Sequence, residues 1–411
     1  MGLNSSELLL ERWPHQGTFH DFMELVLYDP DYGYYSGNPN PIGKEGDFFT
    51  SSSLGQDFGE LMAEGWYRLW QTFAQPQAFT ILEMGAGTGW FAHDALSFIR
   101  RTYPTFFEAI AYHIVEKSPI LRAKQQQQLK PFERQISWVN LDDITASSLV
   151  GIAFSNELID AFAVHRLKKQ DGQLWELYVT KEDDQLGETL GPLSSDRLIS
   201  YFQELDIDLL DAAYPDGYTT EVNLAMQPWL NSLQSKFSQG IILTIDYGYP
   251  AAKYYHPQRH QGTLTCYFDH RNHHNPYINL GQQDLTAHVD FTTLERHGHH
   301  LGLETLLLTP QALFLMTLGL GDRLQQLSLG SMAMMELLSR RDALHQLLNP
   351  QGLGGFTVLM QSKNLTFRSK KNSLSNYLLI FKVLSCDVVD PLSYQMLTIL
   401  KAECWIYSNP K

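Results

Sequence analysis

The chain has 411 residues, 44% of them hydrophobic and 18% charged, a composition that describes a globular polypeptide of two or three domains and excludes a disordered one. Thirty Lys and Arg stand against 45 Asp and Glu, a net charge of −15; this argues against nucleic acid as a main partner, because phosphate binding needs clustered cations, and it suits a cationic substrate. Three cysteines, Cys266, Cys386 and Cys404, form no CxxC pair, which excludes a disulfide framework or a thiolate zinc site and leads us to expect a reducing compartment.

In chain order, apolar residues recur at helical spacing over Leu8–Trp13 and Phe22–Tyr28. A turn-rich stretch then runs from Tyr28 to Ser53, a length at which ordered loops are usually functional. Leu54, Phe58, Leu61, Met62, Trp66 and Leu69 predict a helix over about 55–72. From residue 79 the rhythm changes. Apolar runs at 79–84, 111–116, 136–140, 151–157 and 240–248 predict strands, with helices over Trp90–Arg101 and Pro119–Leu129 between the first pairs. Such alternation predicts an α/β fold whose mostly parallel sheet is covered on both faces. Between the fourth and fifth runs, a hairpin about Asp171–Gly172 and then acidic helices read as an insertion. A His-rich, turn-rich stretch after 250 leads to a final helical region over Pro310–Leu348. No run approaches the ~20 apolar residues of a membrane span. The first residues carry neither a signal-peptide core nor an Arg-rich transit pattern, so a bacterial-type cytoplasm is expected. Gly2 and Ser6 fit a short N-myristoylation pattern that often arises by chance.

The sharpest motif is Glu83-Met84-Gly85-Ala86-Gly87-Thr88-Gly89, between a predicted strand and a predicted helix. Glycines there permit a tight turn and close approach of a ligand to backbone N–H groups at the helix start. A dinucleotide fingerprint would need glycine at Trp90. The GxGxG spacing with Glu83 two residues ahead suits a ligand without a pyrophosphate, such as S-adenosylmethionine. Acids follow at successive strand ends. Glu116 closes the second strand, where a carboxylate can accept both ribose hydroxyls; Asp142 and Asp143 follow the third, where a side chain and a backbone N–H can read an adenine edge. The fourth strand ends in Asn156, Glu157 and Asp160, and the fifth in Asp246. Paired carboxylates at that rim can act as base or grip a cationic acceptor; the plainer reading is a helix cap with an acidic first turn.

These motifs, with YGYY (32–35), GKEGDFFTSS (43–52), LGQDFGE (54–60), IVEKSP (114–119), SNELIDAF (155–162), IDYGY (245–249) and LTAHVDFT (285–292), resemble the MidA family of S-adenosylmethionine-dependent methyltransferases, which includes a mitochondrial complex I assembly factor that dimethylates an arginine. The match runs in order from about residue 20 to 320 and weakens at NPQGLGGF. The resemblance implies a class I, Rossmann-like core with a seven-stranded sheet, an N-terminal helical region and an inserted acceptor-binding subdomain. It implies symmetric dimethylation of an arginine on a protein substrate, a subunit of a complex I-type NADH dehydrogenase, and a possible homodimer. By position, Asp47, Thr50, Gly85, Gly87, Gly89 and Glu116 match donor-binding residues, and Asn156, Glu157 and Asp160 match the motif near the acceptor. The expected division is 1–75, a helical and loop region covering the donor site; 76–165 and 239–330, two parts of the core; 166–238, the insertion; and 331–411, a C-terminal region. Two other readings compete. Nine of the 15 histidines fall between His256 and His300, but without HExxH they read as a solvated loop, not a metal centre, and no metal is expected. A non-catalytic assembly factor that binds S-adenosylmethionine, docking through Tyr32, Tyr34, Tyr35, Phe48 and Phe49, is the alternative to an enzyme.

Overall fold

The computed structural model describes residues 4–37, 51, 54–183, 185–327 and 333–365. Gly2, Asp47, Thr50, Cys386 and Cys404 lie outside the described residues.

The main sheet has seven strands: β1 (Phe79–Met84), β2 (Ile110–Val115), β3 (Ile136–Trp138), β4 (Leu149–Asn156), β5 (Phe237–Asp246), β6 (Glu304–Pro310) and β7 (Thr357–Lys363), in the order β6-β7-β5-β4-β1-β2-β3. Every residue of β1 is buried, which is why it reads as an unbroken apolar run. Strands β5, β4, β1, β2 and β3 are parallel. The sheet is nonetheless mixed, since β7 runs antiparallel to both β5 and β6. The reason is where the connection begins and ends. Thr357, the first residue of β7, pairs with Asp246 and Pro310, the last residues of β5 and β6. The chain therefore leaves and re-enters at one rim and must run back down. This strand also carries the core past residue 330, where the sequence reading ends it.

Helices cover both faces. On one lie α1 (Gln56–Thr72) and α2 (Trp90–Thr102), with Trp66 edge-on to Phe91 and Phe154 at 5.5 and 5.7 Å. Phe58, Leu61, Met62, Trp66 and Leu69 are all buried, as their spacing predicts. Helix α3 (Pro119–Gln128) starts just beyond the end of β2, with Ser118 accepting the Leu121 N–H as its cap. On the opposite face α4 (Met226–Ser235) and α5 (Phe291–His300) pack over Leu82, Ala153, Ile242 and Leu359. The helical region after β6 is α6 (Gln311–Thr317), α7 (Leu320–Leu327) and α8 (Met334–Leu348). Asp57 of α1 ties them down, accepting from Arg340 at 2.6 and 2.7 Å and from Arg323 at 2.9 Å.

The insertion is a sheet, not a run of acidic helices. His165–Gln170 and Gln173–Glu182 form the expected hairpin about Asp171–Gly172, but Gln185–Gly191 adds a third strand and Thr219–Val222 a fourth, with the helix Arg197–Glu204 between them and α4 after them. The N-terminal strand Gln16–Thr18 completes this sheet. The helices Ser5–Arg12 and Phe19–Tyr28 bury Leu9, Phe19, Phe22 and Val26 against Val179, Leu264 and Leu285. The first residues thus pack on the insertion. Among the described residues no helix is long and apolar enough to cross a membrane.

Candidate active site

The glycine loop follows β1 and opens α2. Gly85, Gly87 and Gly89 have φ of +71, +52 and +85°, values that other residues adopt only with strain. Gly85 donates its N–H to Val115 O at 3.0 Å and Gly89 to Ala86 O at 2.9 Å, which pins the loop across the ends of β1 and β2. A Cβ on Gly85 would lie 2.8 Å from Leu158 Cδ1, so the loop abuts the turn after β4.

Glu116, one residue beyond β2, is held on both oxygens. Oε1 accepts the Ser118 N–H and Oε2 accepts Gln125 Nε2, each at 2.9 Å. Gln125 is fully buried. Its Nε2 also donates to Gly87 O at 2.8 Å, and its Oε1 accepts Trp138 Nε1 at 2.9 Å. One side chain therefore joins the glycine loop, the strand-end carboxylate and β3. Each Glu116 oxygen keeps a second lone pair for a hydroxyl. Burial pushes the Glu116 carboxyl above its ordinary range.

At the end of β4, Glu157 has φ +52°. Its Oε1 accepts the Ser51 N–H at 3.0 Å and Asn156 Nδ2 at 2.9 Å. Asp160 accepts the Tyr247 hydroxyl on Oδ2 at 2.5 Å. Three buried oxygens have no donor among the described residues: Asn156 Oδ1, Glu157 Oε2 and Asp160 Oδ1. Burial raises the Glu157 carboxyl to about 8, despite the Ser51 N–H and with help from nearby Asp160, and raises Asp160 to about 6. The turn that carries them is clamped: Ala287 N–H donates to Asp160 O at 2.9 Å and Tyr28 hydroxyl to Ala161 O at 2.7 Å.

Residues 61–309 match the S-adenosyl-L-methionine-dependent methyltransferase family. The chain belongs to that family. A Burkholderia thailandensis protein whose crystal structure holds S-adenosyl-homocysteine is 28% identical, with a TM-score of 0.77 over 88% of this chain and 94% of that one. Among curated proteins, the Drosophila melanogaster protein arginine methyltransferase NDUFAF7 homolog is 28% identical over 301 residues, 67% of this chain and 65% of its own length. The rat protein arginine methyltransferase NDUFAF7 is 26% identical over 362 residues, 82% and 78%. This chain spans slightly less than two thirds of the fly relative. The fold is an α/β methyltransferase fold, and the methyltransferase takes S-adenosyl-L-methionine as its cofactor. The glycine-rich loop and the restrained Glu116 are the features that fit such a ligand.

The geometry redistributes the other expected site residues of the methyltransferase. Asp246 is fully buried and turned inward. Its Oδ2 accepts the N–H of Leu158, Ile159 and Asp160 at 3.2, 2.9 and 3.3 Å, and its Oδ1 the N–H of Tyr247 at 2.9 Å. With four backbone N–H groups on its oxygens, it braces the turn that carries Glu157 and Asp160. Glu83, 4% exposed, accepts the Tyr112 hydroxyl at 2.7 Å; it braces the strand beneath the loop, and burial lifts its carboxyl to about 7. Asp142 and Asp143 sit exposed on a turn, Leu141–Asp143, after β3, at the same rim but with side chains in solvent. Gln125 lies in no motif, and Ser51 and Tyr247 fall inside GKEGDFFTSS and IDYGY without being singled out there. The histidines, mostly exposed, gather into no metal-holding group among the described residues.

Proposed function

We propose that the chain methylates a guanidinium nitrogen of an arginine in a protein substrate. The observation that carries this reading is the set of three donor-less buried oxygens on Asn156, Glu157 and Asp160. Leaving such acceptors unpaired costs about 1–3 kcal/mol each, and a guanidinium, with five N–H donors and a fixed charge, satisfies them together. The names of the fly and rat relatives support it. Symmetric dimethylation of a complex I-type subunit is the finer form of the proposal.

When bound, the cofactor supplies an electrophilic methyl group on a sulfonium. Gly85, Gly87, Gly89 and Glu116 would hold it, with Asp142 and Asp143 at the adenine rim; Asp47 and Thr50 are assigned to the same ligand from outside the described residues. Glu157 and Asp160 hold the guanidinium in plane and draw its charge toward one side, leaving one nitrogen with more of its lone pair. The seated guanidinium cation favours the ionised form of Glu157. As the attacking nitrogen gains the methyl carbon it gives up a proton, which that carboxylate accepts on Oε2, and methylarginine leaves still cationic. Orientation of this kind supplies up to ~7–11 kcal/mol in well-aligned systems.

The test is transfer of isotope-labelled methyl groups to proteins of a lysate from cells lacking this chain, followed by hydrolysis and identification of the methylated amino acid. Label in ω-N-methylarginines, lost with Glu157→Gln, is the expected result. Tight cofactor binding with no transfer would turn the reading to the assembly factor.

A further inference from the structure

The Asp160 partner Tyr247 also forms part of the wall of a depression of about 1070 Å³, whose other lining residues include Tyr249, Lys253, His270, Arg271 and His288. A neighbouring depression of about 590 Å³ shares Lys253 and adds Arg259. Among the described residues neither is lined by any Asp or Glu, in a chain whose net charge is −15. Lys253 Nζ and Arg259 Cζ lie 3.9 and 4.6 Å from the centre of the Tyr249 ring. Two cations are thus kept against one aromatic ring, with Arg259 Nε donating to Lys253 O at 3.4 Å. Among the described residues no carboxylate pairs with Lys253, Arg259 or Arg271 within 4.0 Å. His288 stacks on the other ring partner, 5.0 Å from Tyr249; burial, and then Arg259 and Lys253, lower it to about 4, so it adds surface and no charge at neutral pH.

The depression is at the upper end of the ~300–1,000 Å³ usual for small molecules, larger than one arginine side chain needs. Its link to the carboxylates is Tyr247, which lines it and whose hydroxyl meets Asp160. An extended segment whose arginine reaches Glu157 and Asp160 lays its neighbouring residues across the cationic rim. We propose that the acceptor is an arginine flanked by acidic residues, with Lys253, Arg259 and Arg271 reading the flanking carboxylates. Basic, arginine-rich tails meet like charge at that rim. The inference rests on the arginine reading above and adds the sequence around the arginine.

The experiment is fluorescence anisotropy of labelled peptides on the full chain saturated with S-adenosyl-homocysteine. The peptides carry one arginine flanked by glutamates or by alanines, and a third keeps the glutamates but has glutamine in place of arginine. The glutamate-flanked arginine peptide is expected to bind about tenfold tighter than the alanine-flanked one. That preference should shrink as salt rises, and should vanish in Lys253→Glu/Arg271→Glu, whose unchanged affinity for S-adenosyl-homocysteine shows that it is folded. Equal binding of the two arginine peptides, no binding of any peptide, or a preference that survives high salt and charge reversal overturns the proposal. A glutamine peptide binding as tightly as its arginine counterpart would instead overturn the arginine reading and leave the rim's charge preference standing.

Discussion

The hydroxyl of Tyr247 donates to Oδ2 of Asp160 at 2.5 Å, and this hydrogen bond is among the forces that keep the Asp160 carboxyl from rising further. Removing it with Tyr247→Phe takes away the side-chain donor to Asp160. The carboxyl then ionises at higher pH, and the acid limb of the kcat/KM profile moves to the alkaline side. A pH–rate series on both proteins measures the displacement. An unmoved limb would show that Asp160 does not titrate in the free enzyme's catalytic cycle.

Glu157→Gln keeps the size and backbone preference of the residue but not the charge. We expect methyl transfer to fall by roughly 10²-fold or more, as for loss of one preorganised electrostatic group, while cofactor binding stays within a factor of about two. Calorimetric titration with S-adenosyl-L-methionine beside a transfer assay separates these effects.

Gln125 links three elements through one amide. Gln125→Leu removes the donor to Gly87 and Glu116 and strands the buried Trp138 Nε1, at a cost of about 1–3 kcal/mol in stability. KM for the cofactor should rise about tenfold with kcat nearly kept, because the residue positions the Glu116 carboxylate and does not touch reacting atoms. Glu116→Ala should abolish detectable cofactor binding in the same titration.

How much of this was legible in the sequence depends on what each residue's signal is. Strand β1 coincides with its predicted run because a strand buried on both faces must be apolar throughout. Strand β7 was missed because its seven residues follow a long helical stretch and end in Gln361-Ser362-Lys363, polar residues that nothing in the local pattern marks as sheet. Asp246 reads in sequence like Glu157, an acid at a strand end; only the fold shows that one faces four backbone N–H groups and the other an open set of acceptors. Gln125 opens a run of four glutamines and Ser51 a run of three serines, where composition cannot single out the member that turns inward. The glycine loop was legible because positive φ leaves a chemical signature that no other residue supplies cheaply.

Buried carboxylates make the fold itself sensitive to pH. Glu157 and Asp160 ionise at about 8 and about 6 in the folded protein, and nearer 4 when exposed in the unfolded chain. Between those values the folded state binds more protons than the unfolded one, so their contribution is complete below about pH 4 and is lost as pH rises through 6 and 8. Thermal melts of the cofactor-free protein should therefore show Glu157→Gln gaining on the unsubstituted protein from pH 5 to 8.5. Parallel melting curves across that range would place the Glu157 carboxyl in ordinary solvent.

Strand β7 sits between β5 and β6, the last described strand filling a slot in the middle of the sheet. Until residue 363 has left the ribosome, β5 has an unpaired edge along its whole length and β6 has no neighbour at all. Leu353, whose carbonyl takes the Gln311 amide that in turn holds Ser51, arrives at the same late moment. A chain truncated before β7 would contain the glycine loop and every carboxylate discussed here and still present an open, apolar sheet edge to its neighbours. Synthesis of this enzyme thus passes through a long interval in which its chemistry is fully encoded and its architecture invites aggregation, an interval that β7 closes.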